Sequence, residues 1–363
     1  MNIGIPKERN PFEFRVGMTP AGVQMLVESN HICYVEHDAG SSAGFSDQEY
    51  ENAGAKLVYS SHEVFGRADL LLKINRPTLE EIEWLRPGSA VVGLLHLFSA
   101  RQDNIDELLK NQITSIAMEQ ITLPNGCMPV RRPLAQIGGL MVPQIAARLL
   151  QTDAGGKGIL LGGIVGVPPA EVVILGAGAT GTNATKGFLG LGAHVTVLDI
   201  NILALQTLYD HFPNVLTLIS NPININRALA YADVLVGAIL VPYQRVPIIV
   251  TREQVKTMKP RSLIIDLSID EGGCIETSRP TTHERPTFID EGIIHYCVPN
   301  ISSVVARTSM YAYVNAAFPF IQDLANKGVE RAIQESPALE IAVNTHNGQL
   351  VHLSRIMPKI TTE

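Results

Sequence analysis

The 363-residue chain reads as an α/β protein of two doubly wound domains, one inserted into the other. Three observations predict this. Short runs rich in β-branched apolar residues alternate with longer helix-compatible stretches nearly throughout. The runs are continuously apolar, as strands covered on both faces of a parallel sheet must be. They also fall into two series, parted by a long helical stretch and a glycine-rich approach.

In the first series the expected strands are Ile3–Ile5, Ile32–Val35, Leu70–Ile74, Val91–Leu95 and Thr114–Met118. A mostly apolar helical stretch follows, Ala135–Gln151, interrupted by Gly138-Gly139 and Pro143, and leads to Gly155-Gly156-Lys157-Gly158 and Gly162-Gly163. The second series comprises Val172–Leu175, Val195–Leu198, Val215–Ile219, Val234–Ile239, Leu263–Leu267 and Ile293–Val298. A second long helix is expected over Thr308–Asn326, and Ile341–Val351 returns to pack on the first domain. Residues 1–132 and 308–363 then form a discontinuous substrate domain, and residues 133–307 an inserted nucleotide domain. The length suits two domains of ordinary size, and a ligand is expected in the cleft between them.

The second series holds the most specific motif. Gly176-Ala177-Gly178-Ala179-Thr180-Gly181 follows the strand Val172–Leu175 and opens a helix. The strand Val195–Leu198 then ends in Asp199, eighteen residues after the third glycine. That order is the fingerprint of a Rossmann-like dinucleotide unit. Gly176 permits the tight turn, Gly178 lets backbone approach a pyrophosphate, and Gly181 lets the helix lie close to the sheet. The helix start supplies N–H donors and partial positive charge to the phosphates. Asp199 would accept from the adenine ribose hydroxyls and repel a 2′-phosphate, which favours NAD over NADP.

Composition excludes several classes. The chain is 46% hydrophobic and 17% charged, with a net charge of −7 that is well mixed along its length. A folded protein with a generous core is expected, and neither nucleic acid nor an anionic membrane as partner. Cys33, Cys127, Cys274 and Cys297 lack metal-ligand spacing and read as reduced thiols of a cytoplasmic protein. No window reaches 18 uninterrupted apolar residues, and Met1–Lys7 has no signal-peptide profile. The sequon Asn183-Ala184-Thr185 lies inside the nucleotide unit and reads as chance.

Four side chains stand at or beside strand carboxyl ends, where open α/β sheets place their chemistry. Lys73 emerges from an otherwise apolar strand, although a lysine there can also snorkel to the surface. His96 ends a strand and suits proton transfer near neutral pH, although such a histidine is often a hydrogen-bonded core residue. Asp270, in Ser268-Ile269-Asp270-Glu271-Gly272-Gly273, is either functional or an acid in a glycine turn. Arg15 offers a fork for a carboxylate or is a surface arginine.

With these residues in place, a resemblance emerges. Ile5-Pro6-Lys7-Glu8, Phe14-Arg15-Val16-Gly17-Met18-Thr19-Pro20, Leu95-His96-Leu97 and the glycines at 155–163 resemble alanine dehydrogenases. So do Ala238-Ile239-Leu240-Val241-Pro242 and Asp270-Glu271-Gly272-Gly273-Cys274-Ile275-Glu276-Thr277 through Pro280-Thr281-Thr282-His283. The wider group includes the NAD-binding subunit of proton-translocating transhydrogenase, and the resemblance runs from residue 2 to about residue 330. It implies NAD-dependent conversion of L-alanine to pyruvate and ammonia in a cytoplasmic homohexamer. Arg15 and Lys73 would hold the carboxylate and polarise the carbonyl, His96 would shuttle the proton, and Asp270 would position water or ammonia. Asn300 would lie near the substrate. Gly176, Gly178, Ala179, Gly181 and Asp199 match the nucleotide contacts, with Ile239, Leu240 and Val241 beneath the nicotinamide side.

The chain departs from this family at three places. Ala135 stands where a serine usually reaches the cofactor, Ile301–Ala306 replaces a Pro- and Gly-containing run, and Tyr243 replaces a glycine. Loss of prolines changes which backbone N–H groups can donate. An altered pocket wall leaves open a related amino- or imino-acid (opine-type) oxidoreductase with another substrate, or a non-catalytic NAD-binding protein. Tyr311, Tyr313, Phe318 and Phe320 on the last long helix are expected in the core, though an interface would use them equally. Gly328–Glu363 departs further from the family.

Overall fold

The computed structural model describes residues 1–241 and 245–353; Tyr243, with Pro242, and the last ten positions of the expected substrate domain lie outside the described residues. The chain divides into two compact units, one running from Met1 to Leu134 and resuming at Ser303, the other Ala135–Ser302.

The first unit opens with six parallel strands, β1 (Asn2–Ile5), β2 (Ile32–Glu36), β3 (Lys56–Val58), β4 (Leu70–Asn75), β5 (Ala90–Leu94) and β6 (Thr114–Ala117). They are ordered β3-β2-β1-β4-β5-β6, so the chain reverses its direction of travel between β1 and β4. Local signals set the crossovers. Thr19 caps the helix Pro20–Glu28 by accepting from the Gly22 N–H, with Pro20 pre-setting the first turn. Gly17 packs so tightly on β4 that a Cβ there would lie 2.0 Å from the Leu72 carbonyl oxygen. Its lack of a side chain brings the Arg15 loop down onto that strand.

The second unit repeats the plan with β7 (Glu171–Leu175), β8 (His194–Asp199), β9 (Leu216–Ile219), β10 (Val234–Gly237), β11 (Leu263–Asp266), β12 (Thr287–Asp290) and β13 (Ile293–Tyr296). The parallel order is β9-β8-β7-β10-β11-β13, with β12 antiparallel at the edge. The stretch expected to be interrupted at Gly138-Gly139 and Pro143 is one continuous helix, Arg131–Leu149. Within this unit Gly139 is the contact that admits the next helix: a Cβ on it would lie 2.4 Å from the Thr180 carbonyl oxygen.

The chain then completes its first unit. The helix Ala306–Lys327 buries Met310, Tyr313, Ala317, Ile321 and Leu324 in the same core as Ile3, Ile5 and Leu72. Tyr313 is core, Phe318 and Phe320 pack partly against it, and Tyr311 is exposed. The strands β14 (Val343–His346) and β15 (Gln349–Leu350) add antiparallel to β6 and extend the first sheet to eight strands. Among the described residues no helix is long and apolar enough to cross a membrane.

Candidate functional site

In the first unit the polar groups collect at the carboxyl ends of four neighbouring strands, β1, β4, β5 and β6. Arg15 is 2% exposed, and its Nε and Nη2 donate to Glu13 Oε1 and Oε2, each at 2.7 Å. This bidentate pairing fixes the guanidinium plane. Asn75 Nδ2 donates to Glu13 Oε2 at 2.9 Å, which ties the Arg15 loop to the end of β4.

Lys73 lies deeper than its sequence position suggests. Nζ donates to Glu81 Oε1 at 2.8 Å and lies 3.4 Å from Glu8 Oε2, with all three side chains only 1% exposed. Burial alone would depress the ammonium; the Glu8 and Glu81 carboxylates outweigh it and hold Lys73 above its usual value. Neither a surface lysine nor one reaching outward is seen. Lys73 is the cation that ties Glu8 of the first loop to Glu81 of the helix after β4.

His96 occupies the junction of β5 and a short 3-10 turn, Leu97–Ser99, with a left-handed backbone at φ 42°. Left-handed geometry is costly for a side-chain-bearing residue and marks a position fixed by its surroundings. Those surroundings are Glu119 and Arg76. Glu119 accepts from the His96 N–H at 2.6 Å and the Leu95 N–H at 3.1 Å, and Arg76 Nη1 donates to the His96 carbonyl at 3.1 Å. The Nδ1 atom has no hydrogen-bond partner and lies 3.9 Å from Glu119 Oε1. Desolvation, with Arg131, Arg76 and Arg15 adding to it, lowers the imidazole to about 3. Nδ1 is enclosed, although the ring as a whole keeps 31% exposure at its open edge. Burial pushes the Glu119 carboxyl up to about 7.

In the second unit the glycine turn sits where the sheet order reverses, between β7 and β10. Gly176 takes φ 108°, and a Cβ there would lie 2.5 Å from the Ala238 carbonyl oxygen beyond β10. Gly181 is tighter still, with a Cβ placed 1.8 Å from the Gly176 oxygen. Gly178 is the exception: a Cβ on it would meet nothing within 4 Å. It caps the helix Ala179–Gly190 and brings no side chain of its own to bond the first turn's N–H groups. Asp199, at the end of β8, accepts from the Ala177 N–H at 2.6 Å and the Asn201 N–H at 2.8 Å. An uncapped helix start beside an open glycine and a strand-end carboxylate fits a dinucleotide.

Asp270 is exposed on the 3-10 turn Leu267–Glu271, and its Oδ1 accepts from the Asn300 N–H at 2.9 Å. Asn300 is left-handed, φ 52°, and precedes a second 3-10 turn, Ile301–Val305. The departing segment thus begins as a short coil that buries Ile301 and Ser302. Ile239, Leu240 and Val241 form the loop after β10, with Leu240 40% exposed. Ala135 lies half-buried on the helix Arg131–Leu149.

The structure groups Arg15, Lys73 and His96 in one unit and Gly176, Gly178, Ala179, Gly181, Asp199, Ile239–Val241, Asp270 and Asn300 in the other. Sequence reasoning passed over Glu13, Asn75, Arg76 and Glu119. A signal existed for Glu119, which directly follows the expected strand Thr114–Met118 and so satisfies the rule that picked out His96. Glu13 lies two positions before Arg15, and nothing local reveals that it turns back onto the guanidinium.

Two sheets in the 3-2-1-4-5-6 order, one bearing a glycine turn where its strand order reverses, define a doubly wound α/β protein with a dinucleotide-type turn. Residues 4–138 match the N-terminal domain, and residues 142–353 the C-terminal domain, of the family described as alanine dehydrogenase/PNT. The chain is 45% identical to an alanine dehydrogenase of Methanococcus maripaludis over 97% of its own length and 95% of the relative's. It is 41% identical, at the same coverages, to one of Halomonas elongata. A solved L-alanine dehydrogenase superposes with a TM-score of 0.92 at 40% identity, covering 97% of both chains. A transhydrogenase from Sinorhizobium meliloti shares the fold with a TM-score of 0.82 at 24% identity, over 97% of this chain and 99% of that one. The chain belongs to the alanine dehydrogenase/PNT family.

Proposed function

We propose that this chain catalyses the NAD-dependent, reversible oxidative deamination of L-alanine to pyruvate and ammonia. The observation that carries the reading is full-length identity of 41–45% to alanine dehydrogenases, joined to a chain that bears the acid–base and nucleotide groups such a reaction needs. NAD, when bound, supplies the acceptor for the hydrogen and electron pair that leave the alanine Cα.

The residues then divide the work. Amides of the Gly176–Gly181 turn, including those of Gly178 and Ala179, hold the pyrophosphate, and Asp199 takes the adenine ribose. The Ile239–Val241 loop borders the nicotinamide. Arg15, fixed by Glu13, binds the substrate carboxylate. Arg76 adds a second positive charge beside His96, since its side-chain bonds run to the His96 carbonyl and the Ser99 hydroxyl. Lys73 takes the structural part described above, and the polarising role expected for it passes to these guanidinium groups and to the His96 ring. His96 receives the proton as the Cα carbon becomes an imine. Asp270, steadied by the Asn300 N–H, directs water onto that carbon. The C–O bond forms as the imine electron pair and one water proton pass to nitrogen. The C–N bond then breaks as the hydroxyl proton reaches nitrogen, leaving the C=O of pyruvate and releasing ammonia. A homohexamer in the cytoplasm belongs to the same reading.

The test is NADH oxidation by the purified chain with a panel of 2-oxo acids and ammonia, repeated with primary amines. Turnover with pyruvate and ammonia is the expected result. Turnover confined to another acid or to an amine partner points to a related amino- or imino-acid oxidoreductase, and NADH binding with no turnover on any pair points to a non-catalytic protein. Asp199→Ala is expected to weaken NAD binding and to relax discrimination against NADP. Unchanged affinity for both in titration calorimetry would remove Asp199 from the ribose site.

A further inference from the structure

Strands β10 and β11 pair in parallel from Val234↔Leu263 to Gly237↔Asp266. Past Asp266 the backbone coils into the 3-10 turn Leu267–Glu271 and can no longer continue the ladder. One side chain continues it instead. Ser268 Oγ accepts from the Ile239 N–H at 2.9 Å and donates to the Ile239 carbonyl at 2.9 Å. The separation between these residues, 29 positions, is the same as that of the paired strands. The hydroxyl lies two residues past the last ladder pair, Gly237↔Asp266, in the same register, and serves as both donor and acceptor there.

Ser268 is 2% exposed and anchored on every side. Its N–H donates to Asp266 Oδ1 at 3.0 Å, and its carbonyl accepts from the Gly273 N–H at 2.9 Å. Asp266 Oδ2 also accepts from the Cys274 N–H at 3.1 Å, closing the turn that has Asp270 at its middle. On the other side, Ala238 donates to the Leu175 carbonyl at 2.8 Å, and its own carbonyl lies against Gly176. The phosphate turn, the loop after β10 and the Asp270 turn are therefore linked in series. Ser268 supplies the hydroxyl that joins the loop after β10 to the Asp270 turn.

We infer that Ser268 is a positioning residue whose hydroxyl sets the spacing between the nicotinamide-side loop Ile239–Val241 and the turn that carries Asp270. The inference rests on the proposed dehydrogenase reading for its catalytic consequence, but its binding consequence does not need alanine as substrate. Ser268→Ala removes one oxygen and little volume. Losing the two hydrogen bonds frees the loop that borders nicotinamide while leaving the phosphate turn and Asp199 in place.

The deciding readout compares NADH with ADP-ribose, which lacks the nicotinamide ring, by titration calorimetry. In Ser268→Ala the NADH Kd is expected to rise about fivefold with the ADP-ribose Kd within about twofold of the parent. Turnover of L-alanine is expected to fall about tenfold, because small displacements of reacting groups are costly. Ser268→Thr, which keeps the hydroxyl, should hold the ratio of the two affinities within about twofold. An unchanged ratio in Ser268→Ala, or equal weakening of both ligands, overturns the inference whatever happens to turnover. A parent chain that fails to turn over L-alanine while the ratio shifts as expected overturns the alanine reading and leaves the inference standing.

Discussion

Replacing His96 with alanine is expected to lower turnover by a factor on the order of 10² or more, with NADH affinity and melting temperature close to the parent's. The size follows from the ring's setting. An imidazole lowered to about 3 is neutral at neutral pH, with its lone pair open, and needs a neighbouring negative charge to hold a proton in the oxidative direction. Glu119, pushed up to about 7, stands 3.9 Å from its Nδ1. When Glu119 ionises, its charge favours the imidazolium that forms as the substrate is oxidised. The kcat/KM profile for L-alanine oxidation should therefore rise with pH through a value near 7, and Glu119→Gln should flatten that limb. Near-normal turnover in a folded His96→Ala protein would remove the residue from the mechanism.

The two groups also affect stability with opposite signs. The folded state depresses His96, so its contribution is present above its ordinary 6.5 and is lost as pH falls toward 3. It raises Glu119, so that group favours folding at low pH and opposes it as pH climbs from 4.5 through 7. Acid unfolding of Glu119→Gln should consequently lose the stabilisation that the parent gains on that descent.

Adding one methyl group to either of two glycines in the phosphate turn should abolish most cofactor binding, but by different physics. In Gly181→Ala the new Cβ would stand 1.8 Å from the Gly176 oxygen, so the helix Ala179–Gly190 must lift from β7. Overpacking of that kind costs about 1–3 kcal/mol of stability. In Gly178→Ala the Cβ meets no protein atom within 4 Å, and φ of −73° suits any residue. Its stability should match the parent's, yet the methyl fills space that the proposed reading gives to a pyrophosphate. The expected result is an NADH Kd raised more than about tenfold in both variants, with melting temperature lowered only in Gly181→Ala. Full NADH affinity in Gly178→Ala would show that no phosphate approaches that backbone.

The fold was legible because its signal is local and repeated. Each of the expected apolar runs is a strand of one of the two sheets. The strands that escaped notice were β3 and β12, while β14 and β15 fall inside the expected return Ile341–Val351 without having been read as strands; all four are two to four residues long and lie at or beside sheet edges. With one face or one flank in solvent, β12 carries the mixed sequence Thr287-Phe288-Ile289-Asp290 and gives no continuous apolar run. The glycine turn was legible for the same reason: all its parts lie within a few dozen residues. The first unit's polar cluster was only half legible. His96 and Arg15 could be picked out, but the enclosure of Lys73 depends on Glu8 and Glu81, brought to it from another loop and a later helix. No local pattern encodes which carboxylate meets which cation, and burial of the ammonium follows from that meeting.

The first unit is written in two pieces, and its core needs both. The helix Ala306–Lys327 supplies Met310, Tyr313 and Ile321 to the interior that Ile3, Ile5 and Leu72 begin. A ribosome making this chain delivers the six parallel strands of that unit long before the helix that covers them. The contiguous second unit is complete in sequence by residue 302. During synthesis the usual N-terminal-first sequence of domain folding is therefore reversed. The part with the glycine turn can close first, while the part with His96 waits, its apolar sheet face bare, for the helix Ala306–Lys327.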